Sequence, residues 1–272
     1  MDFTHFLLTR FNVRKVRKTN VVLNKTNIEL TPEWLNHRIG LFQQYCLPSV
    51  LSQTNKNFVW IIFYDEKSDK RLLQKIMEWE LQLTLAQIPH IFHPCPSLPE
   101  SSMSENVFNA IKDILSSQPH RHILQSRLDN DDIVHKDYIS LIQEKARNII
   151  DSISLSHPST IDILHGYQFD QKNKVFYERK YKSNQFISVL FPSEFFNKNN
   201  TKENQHFSIF SYVHNDAHQF PVYTIDSNRL WIQVIHDRNA HSTIGKIGTN
   251  LVPVKVKKLG KILKDFNHIE KW

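Results

Sequence analysis

Residues 58–64 read Phe-Val-Trp-Ile-Ile-Phe-Tyr, seven apolar or aromatic residues in a row. The run is too short for a helix buried on every face. Its β-branched and aromatic content marks a strand covered on both sides. A strand of that kind needs helices or a second sheet above and below it. The neighbouring segments supply them. Thr4–Thr9 reads as a short buried strand. Thr31-Pro32 then opens a helix, with Thr as the cap and Pro in the first turn. Its apolar stripe runs Leu35, Ile39, Phe42, Cys46, Val50, and "SQTNKN" ends it. After the central strand, Asp69 is placed to cap a helix over 70–83. A weaker strand follows at 88–92, then a Pro/Ser-rich loop with Cys95 in a turn, a helix over 106–115 and a strand over 122–128. Ile139, Ile142, Ala146 and Ile149 mark one more helix. Strands alternating with helices predict a mostly parallel α/β sheet flanked by helices. Such sheets bind ligands beyond the carboxyl ends of their strands.

The second half is richer in strands. Segments 161–169, 174–182 and 186–191 read as β-strands, and "FPVYTIDSNRLWIQVIHDRNAHS" holds a further strand and turn. Residues 254–272 form a lysine-rich tail with Leu259, Ile262, Leu263, Phe266 and Ile269 at helical spacing, an amphipathic basic helix. No repeat or long linker divides the chain, so a single domain is expected.

Polar clusters fall where the α/β half would end its strands: Thr9-Arg10, Asp65 with Glu66, Ser68 and Asp69, and Arg127 through Asp132. In the last, Asp129, Asp131 and Asp132 crowd a chain of net charge +7. If extended, Asp129 and Asp131 point to one side and could share a hard cation whose open positions take phosphate oxygens. A helix cap is the competing reading. Asp132 could bond backbone amides and hold the turn. Asp65, at the tip of a buried strand, is either a loop residue or an acceptor for a base or ribose. His236 ends an apolar run in "WIQVIHDRNAHS", where an imidazole could join carboxylates around a borderline metal; a structural histidine is the alternative.

Composition narrows the partners. Only five glycines are present, and no G-x-G-x-x-G or Walker-type loop occurs, so side chains or a metal must hold any phosphate. The basic balance favours anionic partners, but aromatics do not interleave with basic residues in an RNA-binding pattern, which makes nucleic acid the weaker reading. The apolar runs are too short to span a bilayer. "MDFTHFLLTR" lacks a secretory pattern, and two cysteines make no disulfide framework, so the cytoplasm is the expected compartment.

Taken in order, "FLLTRFNVR", "RIGLFQQYCLPSVLSQTNKNFVWIIFYDEKSD", "SRLDNDDIVHKDYI", "NQFISVLFPSE" and "LWIQVIHDRNA" resemble the GT-A-type glycosyltransferases, and most closely the rhamnosyltransferase-like bacterial family. The resemblance implies a GT-A, Rossmann-like fold with a β-rich C-terminal half. Residues 1–135 would form the nucleotide-sugar half, 136–253 the acceptor- and metal-completing half, and 254–272 the basic tail. It implies a nucleotide-sugar donor, Mn²⁺ or Mg²⁺, and sugar transfer to a hydroxyl of a glycan or lipid-linked acceptor. Thr9 and Arg10 would line the nucleotide pocket, and Asp65 would contact the nucleoside. Asp129 and Asp131 would form the D-x-D pair, with Asp131 the more direct ligand. His236 would complete the metal shell near Asn239, and Arg127 would face the diphosphate. Candidates for the base are Asp216, Glu194 and His214, with Asp216 preferred. The chain departs from the family-two pattern after Asp65, where Glu66-Lys67-Ser68 stands in place of the usual Asp-Gly-Ser, and at Asp237, where Gly is common. A nucleotidyltransferase on a related sheet is the alternative enzyme. The tail would dock on an anionic inner membrane face or pack on the domain.

Overall fold

The computed structural model describes residues 3–13, 31–96, 102–117, 121–153, 157–197, 208–211, 220–237, 253–254 and 256–266. Four parallel strands build the first half: β1 (Phe3–Arg10), β2 (Val59–Asp65), β3 (His90–Cys95) and β4 (His122–Arg127). They lie in the order β3-β2-β1-β4. Their faces follow the period of two. Phe3, Leu7, Trp60, Ile62 and Leu124 enter one core, whereas Phe6, Leu8, Ile61, Phe63 and Ile123 enter another. The sheet is therefore covered on both sides, as the run at 58–64 demands.

The first core is roofed by three helical segments. Helix α1 (Pro32–Leu41) continues through a π-helical turn (Phe42–Cys46) into α2 (Leu47–Leu51). Thr31 caps it by accepting from the Trp34 amide at 3.2 Å. The expected stripe, Leu35 through Val50, is buried in full. The wide turn rotates the helix face, so Leu41 and Tyr45 enter a third core while Phe42 and Cys46 stay in the first. Helix α3 (Lys70–Leu85), capped by Asp69 through the Arg71 and Leu72 amides, buries Leu72, Ile76, Trp79 and Leu83. Helix α5 (Tyr138–Ile149) adds Ile139, Ile142 and Ala146. Helix α4 (Met103–Ser117) covers the opposite face and starts earlier than its apolar spacing suggests, with Ser102 accepting from the Glu105 amide. Cys95 is not in a turn. It ends edge strand β3 fully buried, and Pro94 costs that edge no inner hydrogen bond.

The second half extends the same sheet. Strand β8 (Ser188–Pro192) pairs antiparallel with β4, and β6 (Ser159–Asp170) pairs antiparallel with β8. Strand β9 (Val222–Ile235) runs parallel to β6, β7 (Val175–Lys180) joins β6, and the two-residue β5 (Ile133–Val134) joins β9. Asp226–Asn228, polar residues inside the strand-and-turn segment, do not end the strand. Instead, these residues form an irregularity opposite Ile163–Gly166 within one long strand. Gly166 is obligatory there, because a β-carbon would enter the Trp231 ring. The ring stacks on Phe186 at 5.0 Å and its Nε1 donates to the Ile163 carbonyl. The tail forms helix α6 (Val256–Asp265). Ile262 and Phe266 are buried among Tyr167, Phe169, Ile232 and Val234, so its apolar face is used within the domain.

A polar chain crosses the core between β1, β4 and α5. His5 Nε2 meets Ser126 Oγ at 2.8 Å, Nδ1 meets Gln143 at 3.2 Å, and Ser126 meets Ser188 at 2.6 Å. Burial lowers the His5 imidazole to about 3. The unfolded chain protonates it near 6.5 and the folded one does not. Its contribution is therefore complete above pH 6.5 and lost as pH falls toward 3, at about 1 kcal/mol per pH unit. Urea titrations between pH 7 and 4 should show this slope reduced in His5→Gln. An unchanged slope would contradict a neutral buried imidazole.

Candidate active site

The carboxyl ends of β1, β2 and β4 open on one edge of the sheet. Chain geometry there puts Arg10 at the end of β1 and Arg127 at the end of β4. Both guanidiniums lie over the Phe210 ring, at 4.9 and 5.9 Å. Burial and the neighbouring Arg127 charge lower Arg10 to about 10, with Asp129 opposing them. It remains a cation at neutral pH. Two like charges held at one aromatic ring favour a shared anion.

The acidic turn is not a helix cap. Helix α5 starts only at Tyr138, and β5 lies between. Each acid of the turn has its own partner. Asp129 accepts from Arg127 through both oxygens, at 2.9 and 3.1 Å. Asp131 Oδ2 accepts from Arg38 Nη1 at 2.6 Å and lies 3.0 Å from His236 Nε2. Asp132 faces inward, where Oδ1 accepts from the Val234 amide at 2.9 Å and Oδ2 from Gln185 at 3.2 Å. Asn130 holds the turn in place: it donates to the Phe11 carbonyl and accepts from Arg38 at 3.2 Å. The turn is thus bonded to the exit of β1, the body of α1 and the end of β9.

These environments separate the carboxyls. Burial pushes Asp131 up, but the His236 hydrogen bond and the Arg38 charge outweigh it and hold it below its ordinary value. Burial, then the charges of Asp131 and Asp129, push Asp132 well above its ordinary value. Arg10, Arg38 and Arg127 thus stand beside the Asp129 and Asp131 carboxyls at this edge. An ionised carboxylate only accepts, so His236 carries its proton on Nε2.

The remaining sequence candidates divide. Asp65 is buried and closes the turn after β2: Oδ1 accepts from the Lys67 amide at 2.9 Å, and its own amide donates to Asn12 at 3.1 Å. Thr9 is fully buried with its hydroxyl accepting from Trp60 Nε1 at 3.0 Å, so it anchors the strand end from within and does not line an open pocket. Glu194 is exposed just after β8, whose Pro192 pairs with His122 at the start of β4. Five strand steps, roughly 17 Å, separate that end from Arg127. Glu194 is therefore removed from the site as a base. His214, Asp216 and Asn239 lie outside the described residues. Sequence reasoning missed Arg38, His37, Asn130, Gln185 and Phe210. Arg38 and His37 lie off the helix's apolar stripe, and nothing in spacing links them to residues 93 and 199 positions away.

The parallel part of the sheet thus carries a cluster of guanidiniums and carboxyls at its carboxyl edge, where sheets of this kind bind ligands. The family described as "Putative rhamnosyl transferase" matches residues 4–246, and the chain belongs to that family. No curated protein matches the chain in sequence. Among solved structures, S. aureus TarS 1-349 in complex with UDP-GlcNAc is 9% identical, with 87% of this chain and 60% of that chain covered and a TM-score of 0.47. The chain spans 60% of that length. A "putative nucleotide-diphospho-sugar transferase" from Desulfovibrio desulfuricans G20 is 10% identical, with 86% and 81% covered and a TM-score of 0.38.

The Arg38–Asp131 pair is mostly shielded, with side-chain exposures of 15% and 11%. Removing one partner leaves a buried charge. Arg38→Ala should cost about 3 kcal/mol in urea unfolding, and adding Asp131→Asn should cost less than the sum of the singles. Strict additivity would contradict the pairing.

Proposed function

We propose that this chain transfers a sugar, rhamnose by the description of its family, from a nucleotide-diphosphate donor to an acceptor hydroxyl on a glycan or glycolipid. The observation that carries this reading is the meeting of Arg10, Arg38 and Arg127 around Asp129 and Asp131 at the sheet's carboxyl edge. Breaking the bond from anomeric carbon to phosphate leaves negative charge on the diphosphate. Guanidiniums fixed before that charge develops stabilise the transition state more than the ground state. Asp65 would accept from the nucleoside at the neighbouring strand end.

By residue type Asp129, Asp131 and His236 suit a divalent cation, although their ligand atoms do not converge as those of His37, His236 and Asp237 do. Two carboxylates and an imidazole suit Mn²⁺, and carboxylates suit Mg²⁺. Asp129, Asp131 and His236 would be its ligands. Bound there, the ion would supply charge neutralisation for the leaving diphosphate. Inversion by single displacement needs a base on the opposite face of the sugar. Asp216, or His214 as an imidazole, is our candidate from sequence.

The test is turnover of candidate sugar nucleotides. Asp131→Asn should lower donor hydrolysis and transfer by at least 100-fold, and EDTA should abolish wild-type turnover until Mn²⁺ is restored. Wild-type rates in both conditions would remove the metal-dependent reading. Thermal shifts for a nucleoside triphosphate but for no sugar nucleotide would favour a nucleotidyltransferase instead.

Among the described residues no helix is long and apolar enough to cross a membrane. Because Ile262 and Phe266 are buried, peripheral attachment at a lipid-linked acceptor would rest on exposed lysines such as Lys261 and Lys264. Binding to anionic vesicles should then fall steeply with salt. Salt-independent binding would contradict an electrostatic attachment.

A further inference from the structure

The two ring nitrogens of His236 face different partners. Nε2 is committed to Asp131 Oδ2 at 3.0 Å. Nδ1 points the other way, to His37 Nε2 at 3.5 Å, with the rings edge to face at 5.2 Å. Asp237 completes the group: one ligand atom from each of His37, His236 and Asp237 lies within 4.8 Å of the other two. Among the described residues this is the trio of histidine, cysteine or carboxylate side chains that converges so closely.

A carboxylate that accepts from one imidazole nitrogen fixes the tautomer and leaves the other nitrogen to donate a lone pair. Asp131 does this to His236, and Arg38 keeps Asp131 in place. The 3.5 Å gap also has the right size. Two nitrogens, each about 2.1 Å from a shared ion, are 3.5 Å apart when they subtend roughly 110° at it, the tetrahedral value. Without an ion the same two rings make a long imidazole–imidazole hydrogen bond.

We propose that His37 Nε2, His236 Nδ1 and the Asp237 carboxylate form a divalent transition-metal site that is available without donor, with Asp131 as the positioning residue for His236. The site shares His236 with the donor-bound set proposed above but needs neither nucleotide nor Asp129. Two imidazoles and one carboxylate favour Zn²⁺, Co²⁺ and Mn²⁺ over Mg²⁺, which prefers oxygen ligands and bound water. It therefore gives the chain a metal preference that a purely carboxylate D-x-D site would lack. It also gives a use to Asp237, the residue that departs from the glycine common in the family-two pattern.

The experiment is calorimetric titration of the full, nucleotide-free chain with Co²⁺, Zn²⁺, Mn²⁺ and Mg²⁺, with the visible spectrum of bound Co²⁺ as a second readout. One equivalent of Co²⁺ should bind at least 100-fold more tightly than Mg²⁺. His37→Ala and Asp237→Ala should each weaken it by 10-fold or more and alter the spectrum. Asp131→Asn should weaken it by about 10- to 100-fold, whereas Asp129→Asn should leave it unchanged. Circular dichroism of each variant separates lost ligation from lost folding. No stoichiometric ion, or binding that ignores His37 and Asp237 and depends on Asp129, would overturn the site. Sugar-nucleotide turnover of the same samples keeps the two readings apart. Metal bound at the trio with no turnover defeats only the transferase reading, and turnover with no ion at the trio defeats only this one.

Discussion

Asp131 is a carboxylate with almost no access to water, and one of its oxygens serves both Arg38 and His236. A buried ionised carboxylate is costly unless its partners are fixed before it arrives. Here they come from α1 and from the end of β9, at opposite ends of the sequence. The turn after β4, the first long helix and the last sheet strand can satisfy Asp131 only in one relative placement. That requirement links the parallel half of the sheet to its C-terminal extension at the sheet's carboxyl edge.

The surrounding packing is arranged to hold this point. Asn130 ties the same turn to Phe11 at the exit of β1. Asp132, turned inward, bonds the Val234 amide of β9 and Gln185 before β8. Behind Gln185, Phe186 stacks on Trp231, and Trp231 occupies the space that Gly166 leaves open. A change at the glycine would thus reach the acid cluster through two aromatic rings. The three acids divide the work by environment: Asp129 accepts from Arg127, Asp131 is held below its ordinary value beside His236 and Arg38, and Asp132 is driven toward its neutral form and serves as a structural bracket.

Much of the scaffold was legible because its signals are local. The unbroken run at 58–64, the Thr31 and Asp69 caps and the stripe from Leu35 to Val50 each depend on near neighbours, and each became the element it suggests. The sheet edge carrying Arg10, Asp65 and Arg127 was legible from alternation alone. What the sequence hid is long-range. Arg38 and His37 look like ordinary polar residues of a helix, since helical spacing says nothing about residues 131 and 236. The wide turn at Phe42–Cys46 has no spacing signature either. Thr9 looked like a pocket residue because it ends a strand, yet the indole of Trp60 claims its hydroxyl. Glu194 looked available because it follows a strand, but that strand runs antiparallel to β4 and delivers it to the far end of the sheet. "TIDSNR" carries turn residues and was absorbed as a strand irregularity, because pairing with β6 on both sides of it outweighs local preference.

We propose that the edge built around Asp131 receives the diphosphate of a nucleotide sugar. A crystal structure of the chain soaked with a sugar nucleotide and Mn²⁺ tests it directly. The account predicts diphosphate oxygens within hydrogen-bond reach of Arg10 or Arg127, with the nucleoside toward Asp65 and the ion bound to His236. A donor bound elsewhere on the sheet, with the Arg38–Asp131–His236 contacts unchanged and no phosphate near either arginine, would contradict it.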